Sequence, residues 1–254
     1  MTDRIAALEA RLAASFPDAW PPRLREACLY PIQTGGKRIR PLLCFAAAEA
    51  LGREWRDATD AAVAIELVHT YSLVHDDLPC MDDDAERRGR PTVHVVYGEA
   101  TVVLVGDALL TEAFRVVPPH LARVLAQAAG AAGMVAGQFV DIAGGVDTLD
   151  DLRRLHRAKT GALIRAAVRM GADGSDVLDT AADAIGLAFQ VQDDVLDADQ
   201  DSGDGPPSYV KLLGLDGARR EAHRLADEAL AALDAFPKAD ELRRIARFTV
   251  ERDR

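Results

Sequence analysis

Two acidic runs carry the chemistry of this chain: His75-Asp76-Asp77-Leu78-Pro79-Cys80-Met81-Asp82-Asp83-Asp84 and, far downstream, Gln192-Asp193-Asp194-Val195-Leu196-Asp197. Each adjoins strongly apolar sequence, where several carboxylates are costly unless something neutralises them. A hard divalent cation does this, and Mg²⁺ is favoured when its remaining ligands are water and phosphate oxygens. The chemistry implied is the holding of a diphosphate through bridging Mg²⁺.

Spacing supports this reading. Asp193 and Asp197 stand at i and i+4 on one helical face, and Gln190 and Gly186 extend that line backwards. Ala184, Ala188, Val191 and Val195 form a separate apolar stripe. The alternative, an acidic solvent face, scatters its charges and includes lysines, and Ile185 to Asp201 contains none. The first run closes an amphipathic helical segment, Asp57 to Asp77, with Val63, Leu67, Val68 and Val74 at helical spacing. Pro79 cannot continue that helix, so Asp76 and Asp77 lie at its C-terminal end, where the helix dipole disfavours anions. That again points to a bound cation. His69, seven residues before Asp76, projects from about the same face, although a lone histidine there also fits a satisfied core residue.

A basic set complements the acidic one. Gly35-Gly36-Lys37-Arg38-Ile39-Arg40-Pro41 precedes the apolar run Leu42 to Ala50, and Glu86-Arg87-Arg88-Gly89-Arg90 follows the first acidic run. Two glycines let the backbone approach a ligand closely. Lys37 and Arg40, three apart near a helix start, suit a phosphate. Alone, Gly-Gly-Lys-Arg also fits a plain surface turn. Beside two Mg²⁺-type acidic runs it implies two anionic substrates bound side by side.

The elements that must position these groups are helices. Breakers stand at Pro21-Pro22, Gly35-Gly36, Pro118-Pro119, Gly144-Gly145 and Pro206-Pro207. Between them the periodicity predicts a single all-α bundle of about ten helices and no strand-length run, beginning with a capped helix from Asp3 to Ala14. With 254 residues, no linker rich in Gly, Ser or Pro and no internal repeat, residues 1–254 read as one domain. The absence of a signal peptide and of a membrane-length apolar run predicts a cytoplasmic protein with no stable membrane insertion. A formal charge of −11 argues against nucleic acid as partner. Cys28, Cys44 and Cys80 read as reduced packing cysteines. Glu99 to Phe114 is apolar around much of its circumference, as in a central helix or a dimer interface.

Six segments then appear in an order that resembles the trans-isoprenyl diphosphate synthases, most closely their bacterial short-chain, farnesyl diphosphate synthase-like branch. They are GGKRIRPLL, ELVHTYSLVHDDLPCMDDDAERRGRPTVH, GEATVVLVGDALLTEAF, GMVAGQFVDI, KTGALIRAAVRMGA and IGLAFQVQDDVLD. The two extra residues between Asp77 and Asp82 also match the bacterial branch, and the resemblance runs from about Arg25 to the C-terminus.

The resemblance implies the isoprenoid synthase fold, helices around a central cavity, in one polyprenyl synthetase domain, commonly as a homodimer. It implies condensation of isopentenyl diphosphate with an allylic diphosphate, dimethylallyl or geranyl, by ionisation, condensation and elimination. Mg²⁺, up to three ions with the bound diphosphate, would be held by Asp76 and Asp82 with Asp77 in support, and by Asp193 with Asp194 and Asp197 alongside. Arg87 would contact the allylic diphosphate. Gly36, Lys37, Arg40, His69 and Arg88 would form the isopentenyl diphosphate site. Lys159, Thr160 and Gln190 would make further allylic-side contacts, though Lys159-Thr160 alone reads as ordinary helix surface. Asp76, Asp77, Asp82, Arg87, Lys159 and Asp193 would be the catalytic set. Tyr71, five residues and so about 7.5 Å before Asp76 along a helix, would be the floor that limits chain length, with small Ser72 beside it. A tyrosine floor favours a fifteen-carbon product, with ten or twenty carbons as the alternatives. Tyr71 also fits a plain core position.

One stretch departs from the family. The loop after Asp197, reading Ala198-Asp199-Gln200-Asp201-Ser202-Gly203-Asp204-Gly205-Pro206-Pro207-Ser208-Tyr209-Val210-Lys211, is short and acidic where the family carries lysines that close over the diphosphate. Two rival classes are a class I terpene cyclase and a non-catalytic subunit of a heteromeric prenyl synthase. The first needs no second anion site, and the second is expected to lose aspartates from at least one motif.

Overall fold

The computed structural model describes residues 2–198 and 207–252. Most of the divergent acidic loop, residues 199–206, therefore lies outside the described residues. The rest is all-α: α1 (Thr2–Ala13), α2 (Pro22–Gln33), α3 (Ile39–Ala50), α4 (Thr59–Asp76), α5 (Val93–Tyr97), α6 (Glu99–Val116), α7 (Ala122–Ala129), α8 (Met134–Ala143), α9 (Leu149–His156), α10 (Ala162–Gly171), α11 (Asp179–Leu196), α12 (Tyr209–Leu213), α13 (Leu215–Ala232) and α14 (Asp240–Glu251). Proline starts α2 at the first helical position, where its missing N–H costs nothing, and Gly144 closes α8 at φ +72°. There are more helices than the periodicity separates. Gly98 divides α5 from α6, Gly214 divides α12 from α13, and a π-helical turn, Arg157–Gly161, joins α9 to α10.

Among the described residues one strand pair of two residues each stands within the all-α frame: β1 (Glu86–Arg87) against β2 (Arg90–Pro91). Its two-residue loop has Arg88 at φ +55° and Gly89 at φ +73°, the positive pair that a type I′ hairpin turn requires.

The helices gather into two compact sets. One comprises Met1–Leu42 and Thr59–Ala122. In it α4 packs along α6 and against α1, and α2 packs on α6 and α5. The expectation of an amphipathic Asp57–Asp77 segment is corrected here: α4 is buried on every side from Ala61 to Val68. The close approach of α6 to α4 depends on Gly106, where an added Cβ would stand 1.9 Å from Nε2 of His75. The other set comprises Leu43–Ala58 and Arg123–Arg254. In it α11 packs on α13, α10 and α14, and the π-helical turn touches α8, α9, α10 and α11. Its core includes Leu152, Leu155, Leu187, Val191, Tyr209 and Leu225.

Candidate active site

The first acidic motif is shaped by the end of α4. Pro79 stops the helix, and the chain curls back on itself: Met81 and Asp83 donate backbone N–H bonds to the Leu78 carbonyl, and Asp82 N donates to Asp76 O at 2.9 Å. Asp83 takes φ +55° to allow it. The turn thus sets Asp82 beside Asp76 across a backbone bond. Asp82 and Asp83 are exposed and Asp76 is half-buried. Asp77 faces elsewhere. It is buried, and Arg87 clamps it through Nε at 2.7 Å and Nη2 at 2.6 Å, with Asp84 a further 3.5 Å neighbour of Arg87. Burial pushes the Asp77 carboxyl up, and Arg87 offsets part of that.

The hairpin aims Arg88 at the glycine pair. Arg88 Nη1 donates to the Gly35 carbonyl, and its guanidinium lies over Gly36, where an added Cβ would be 2.7 Å from Nη1. Gly36 also sits at φ +153°, so only glycine fits there. Lys37 is exposed and Arg40 half-buried in the first turn of α3. His69 is half-buried on α4. Burial, then the charges of Arg40, Arg88, Arg87 and Arg38, hold its pKa well below the usual imidazole range. The depressed pKa keeps His69 neutral at neutral pH, as a hydrogen-bonding group rather than a further charge. A cavity in this helix set is lined by Arg38, His69, Asp77, Arg87, Arg88 and Thr92, among others.

Tyr71 lies one turn before His75 and packs on it edge to face, 5.9 Å between ring centroids at 82°. It is buried, and burial followed by the charge of Asp76 raises its phenol pKa. Ser72 donates its hydroxyl to the His69 carbonyl at 2.9 Å.

In the other set, α11 carries the second motif. Asp197 N donates to Asp193 O at 2.9 Å, which stacks the two aspartates one turn apart on the face the spacing predicts. Asp194 turns away and accepts from Tyr209 N at 2.6 Å. Burial pushes its carboxyl up to about 6, against the opposing effects of that bond and of Gln190. Asp193 meets Arg252, whose Nη2 is 2.5 Å from Oδ1. The π-helical turn brings up Lys159 and Thr160. Thr160 donates to Gln190 at 3.1 Å, and Lys159 pairs with Asp141 of α8. Two glycines allow this. A Cβ on Gly137 would stand 2.2 Å from Lys159 N, and one on Gly186 would press Gly161 at 3.3 Å. Gly186 is the first member of the stripe that continues through Gln190 to Asp193 and Asp197.

The donor set fits Mg²⁺. The candidate ligands are carboxylate oxygens, the ligand type that ion prefers. Each motif already sets a cation, Arg87 or Arg252, against one of its aspartates. Among the described residues no three His, Cys, Asp or Glu side chains form a ready-made metal cluster. Mg²⁺ commonly takes only one or two carboxylates and completes its shell with water and substrate phosphate.

Sequence reasoning missed Arg38, Glu66, Asp141, Tyr209 and Arg252. Asp141 sits inside the GMVAGQFVDI segment, so its signal was available. Arg252 belongs to no motif. Cys28, Cys44 and Cys80 are all free thiols; Cys28 and Cys44 are buried packing residues whose thiols burial pushes up to about 12, but Cys80 is exposed, which corrects its reading as a packing residue.

The polyprenyl synthetase family model matches residues 21–205. The chain is 41% identical to the farnesyl diphosphate synthase of Haemophilus influenzae, over 90% of this chain and 88% of that one. It superposes on an FPP/GFPP synthase from Zymomonas mobilis with a TM-score of 0.88 at 39% identity, covering 98% of each chain. A geranyltransferase from Helicobacter pylori, complexed with magnesium and isoprenyl diphosphate, gives 0.83 at 34% identity, covering 98% of this chain and 94% of that one.

Proposed function

The chain belongs to the polyprenyl synthetase family, and from that premise we propose how its residues divide the work. It is a trans-prenyltransferase of the short-chain kind. Its proposed reaction joins isopentenyl diphosphate to dimethylallyl or geranyl diphosphate, with farnesyl diphosphate as product and geranyl or geranylgeranyl diphosphate as the alternatives.

Asp76 and Asp82 are the proposed Mg²⁺ ligands of the first motif. Asp77 supports them by holding Arg87 for the allylic diphosphate. Asp193 is the proposed ligand of the second motif, with Asp194 and Asp197 alongside. Lys159, Thr160 and Gln190 serve the allylic side, and the contact between Thr160 and Gln190 supports grouping them. Gly36, Lys37, Arg40, His69 and Arg88 form the isopentenyl diphosphate site. The observation that carries this assignment is the cavity that His69 shares with Arg87 and Arg88, with the Arg88 guanidinium set over Gly36.

Mg²⁺, when bound, neutralises charge on the departing diphosphate. Arg87 and Lys159 add fixed positive charge where the leaving oxygens become more negative, which lowers the barrier to breaking the allylic carbon–oxygen bond. Lys37, Arg40 and Arg88 hold the second diphosphate so that the isopentenyl double bond meets the allylic cation. The new carbon–carbon bond forms, and a proton then leaves to the released diphosphate. Apolar walls must keep water from the cation.

A class I cyclase does not call for the second anion site, and a silent subunit does not call for two intact acidic motifs. We take residues 1–254 as one functional domain working in the cytoplasm as a homodimer. Exposed Val95 and Val96 on α5, and Val103, Leu104 and Phe114 on α6, support the dimer. Among the described residues no helix is long and apolar enough to cross a membrane. Incubation with isopentenyl diphosphate, each allylic primer in turn and Mg²⁺, followed by chain-length analysis of products, tests the whole reading. Absence of any elongated prenyl product with every primer contradicts it.

A further inference from the structure

We propose that Arg38 is a positioning residue for the isopentenyl diphosphate site, a pin that sets the register of Lys37 and Arg40 without touching substrate. The inference rests on the assignment of those two residues made above. Arg38 sits between them yet points the opposite way. Its side chain is 4% exposed, whereas Lys37 is exposed and Arg40 half-buried. Its guanidinium uses three separate nitrogens on three separate elements. Nε meets Glu9 of α1 at 2.8 Å, Nη1 meets Glu66 of α4 at 2.6 Å, and Nη2 donates to the Ile32 carbonyl near the end of α2 at 2.7 Å. Two glutamates therefore neutralise it, and no charge is left over for a diphosphate.

The backbone shows what the pin does. Arg38 holds φ +51°, a conformation that a non-glycine residue keeps only when its surroundings over-determine it. Its carbonyl accepts from Leu42 N at 3.0 Å and so opens α3. Turning inward at this one residue sends Lys37 outward on one side and places Arg40 in the first turn of the helix on the other. Glu66 lies one turn before His69 on α4, so the pin ties the loop to the same helix turn that carries the neutral histidine. A lysine keeps the charge at this position but cannot fork to three acceptors.

The test is steady-state kinetics on Arg38→Lys and on the double variant R38M/E66L, with Arg40→Ala as control and thermal melting alongside. R38M/E66L replaces the buried pair with apolar side chains, which avoids stranding a buried charge. If Arg38 is a pin, the KM for isopentenyl diphosphate rises about tenfold in the double variant and less in Arg38→Lys, while kcat and the allylic KM stay within about twofold. If that KM stays within about twofold while Arg40→Ala raises it, the pin is wrong and the site assignment stands. A uniform loss in kcat and both KM values also overturns the pin, because that is what a merely structural pair produces. If Arg40→Ala leaves the isopentenyl KM unchanged, the site assignment itself fails, and the pin with it.

Discussion

Arg252 stands against Asp193 as a resident counter-ion. Its Nη2 lies 2.5 Å from Oδ1, its guanidinium is centred 4.2 Å over the Phe189 ring, and the same nitrogen donates to the Phe189 carbonyl. The Arg252 side chain is 2% exposed and that of Asp193 34%. A fixed cation thus balances one carboxylate of the second acidic motif from the far end of α14.

Arg252→Met should lower the melting temperature in chelator, because Asp193, close in sequence to Asp194 and Asp197, loses the charge-assisted contact that Arg252 gives it. Losing such a charge-assisted hydrogen bond costs about 1–3 kcal/mol. Adding Mg²⁺ and inorganic diphosphate should narrow the gap to wild type, since the added cations take over the neutralisation. Scanning calorimetry in the two buffers decides it, and an equal loss in both contradicts the idea.

Asp76→Ala should reduce turnover about a thousandfold or more, on the scale of losing key charge stabilisation at a reacting centre, with little change in melting. Asp193→Ala should match that loss and also melt earlier, because it strands the buried Arg252 guanidinium. Activity measured beside melting separates the two effects. Unchanged turnover in either variant removes the assigned role.

Arg40→Ala should mainly raise the KM for isopentenyl diphosphate, a substrate that does not ionise. Arg87→Ala should lower kcat as well, because its proposed role is on the leaving diphosphate and its removal strands buried Asp77. Identical defects toward both substrates in both variants would contradict the division into two anion sites.

Tyr71→Ala should shift products to longer chains without loss of Mg²⁺ dependence. Truncating a buried aromatic costs about 3–5 kcal/mol, so the assay belongs well below the variant's melting point. An unchanged chromatographic product profile places the floor elsewhere.

His156 should give acid sensitivity. Burial lowers its pKa from the ordinary 6.5 to about 4, and its ring packs 5.5 Å from that of Tyr209. The folded-state value is depressed, so between pH 6.5 and 4 the unfolded chain binds a proton that the native chain refuses. Stability is therefore lost as pH falls through that window, by up to about 3 kcal/mol. His156→Phe, which keeps the ring packing, should melt with a shallower pH dependence than wild type from pH 7 to 4.5. Parallel curves for the two proteins would rule this out.

The sequence by itself determined the all-α class and several helix ends. Apolar period and breakers act within a turn or two of themselves, so α2, α6 and α8 end or begin where proline and glycine stand. It also located both acidic motifs, and the i, i+4 relation of Asp193 and Asp197 is a property of any helix. The backbone bond from Asp82 to Asp76 is nearly as local, closing over a proline-broken helix end. The tertiary structure alone decided which cation meets which carboxylate. Arg252 and Asp193 are 59 residues apart, and Arg38 and Glu66 are 28 apart. Such pairings depend on the path of the whole chain and on desolvation, neither of which leaves a period in the sequence. The same holds for α4, which is buried on every side from Ala61 to Val68, and for the π-helical turn, which is set by the space that Gly137 and Gly186 leave rather than by any signal in Arg157–Gly161.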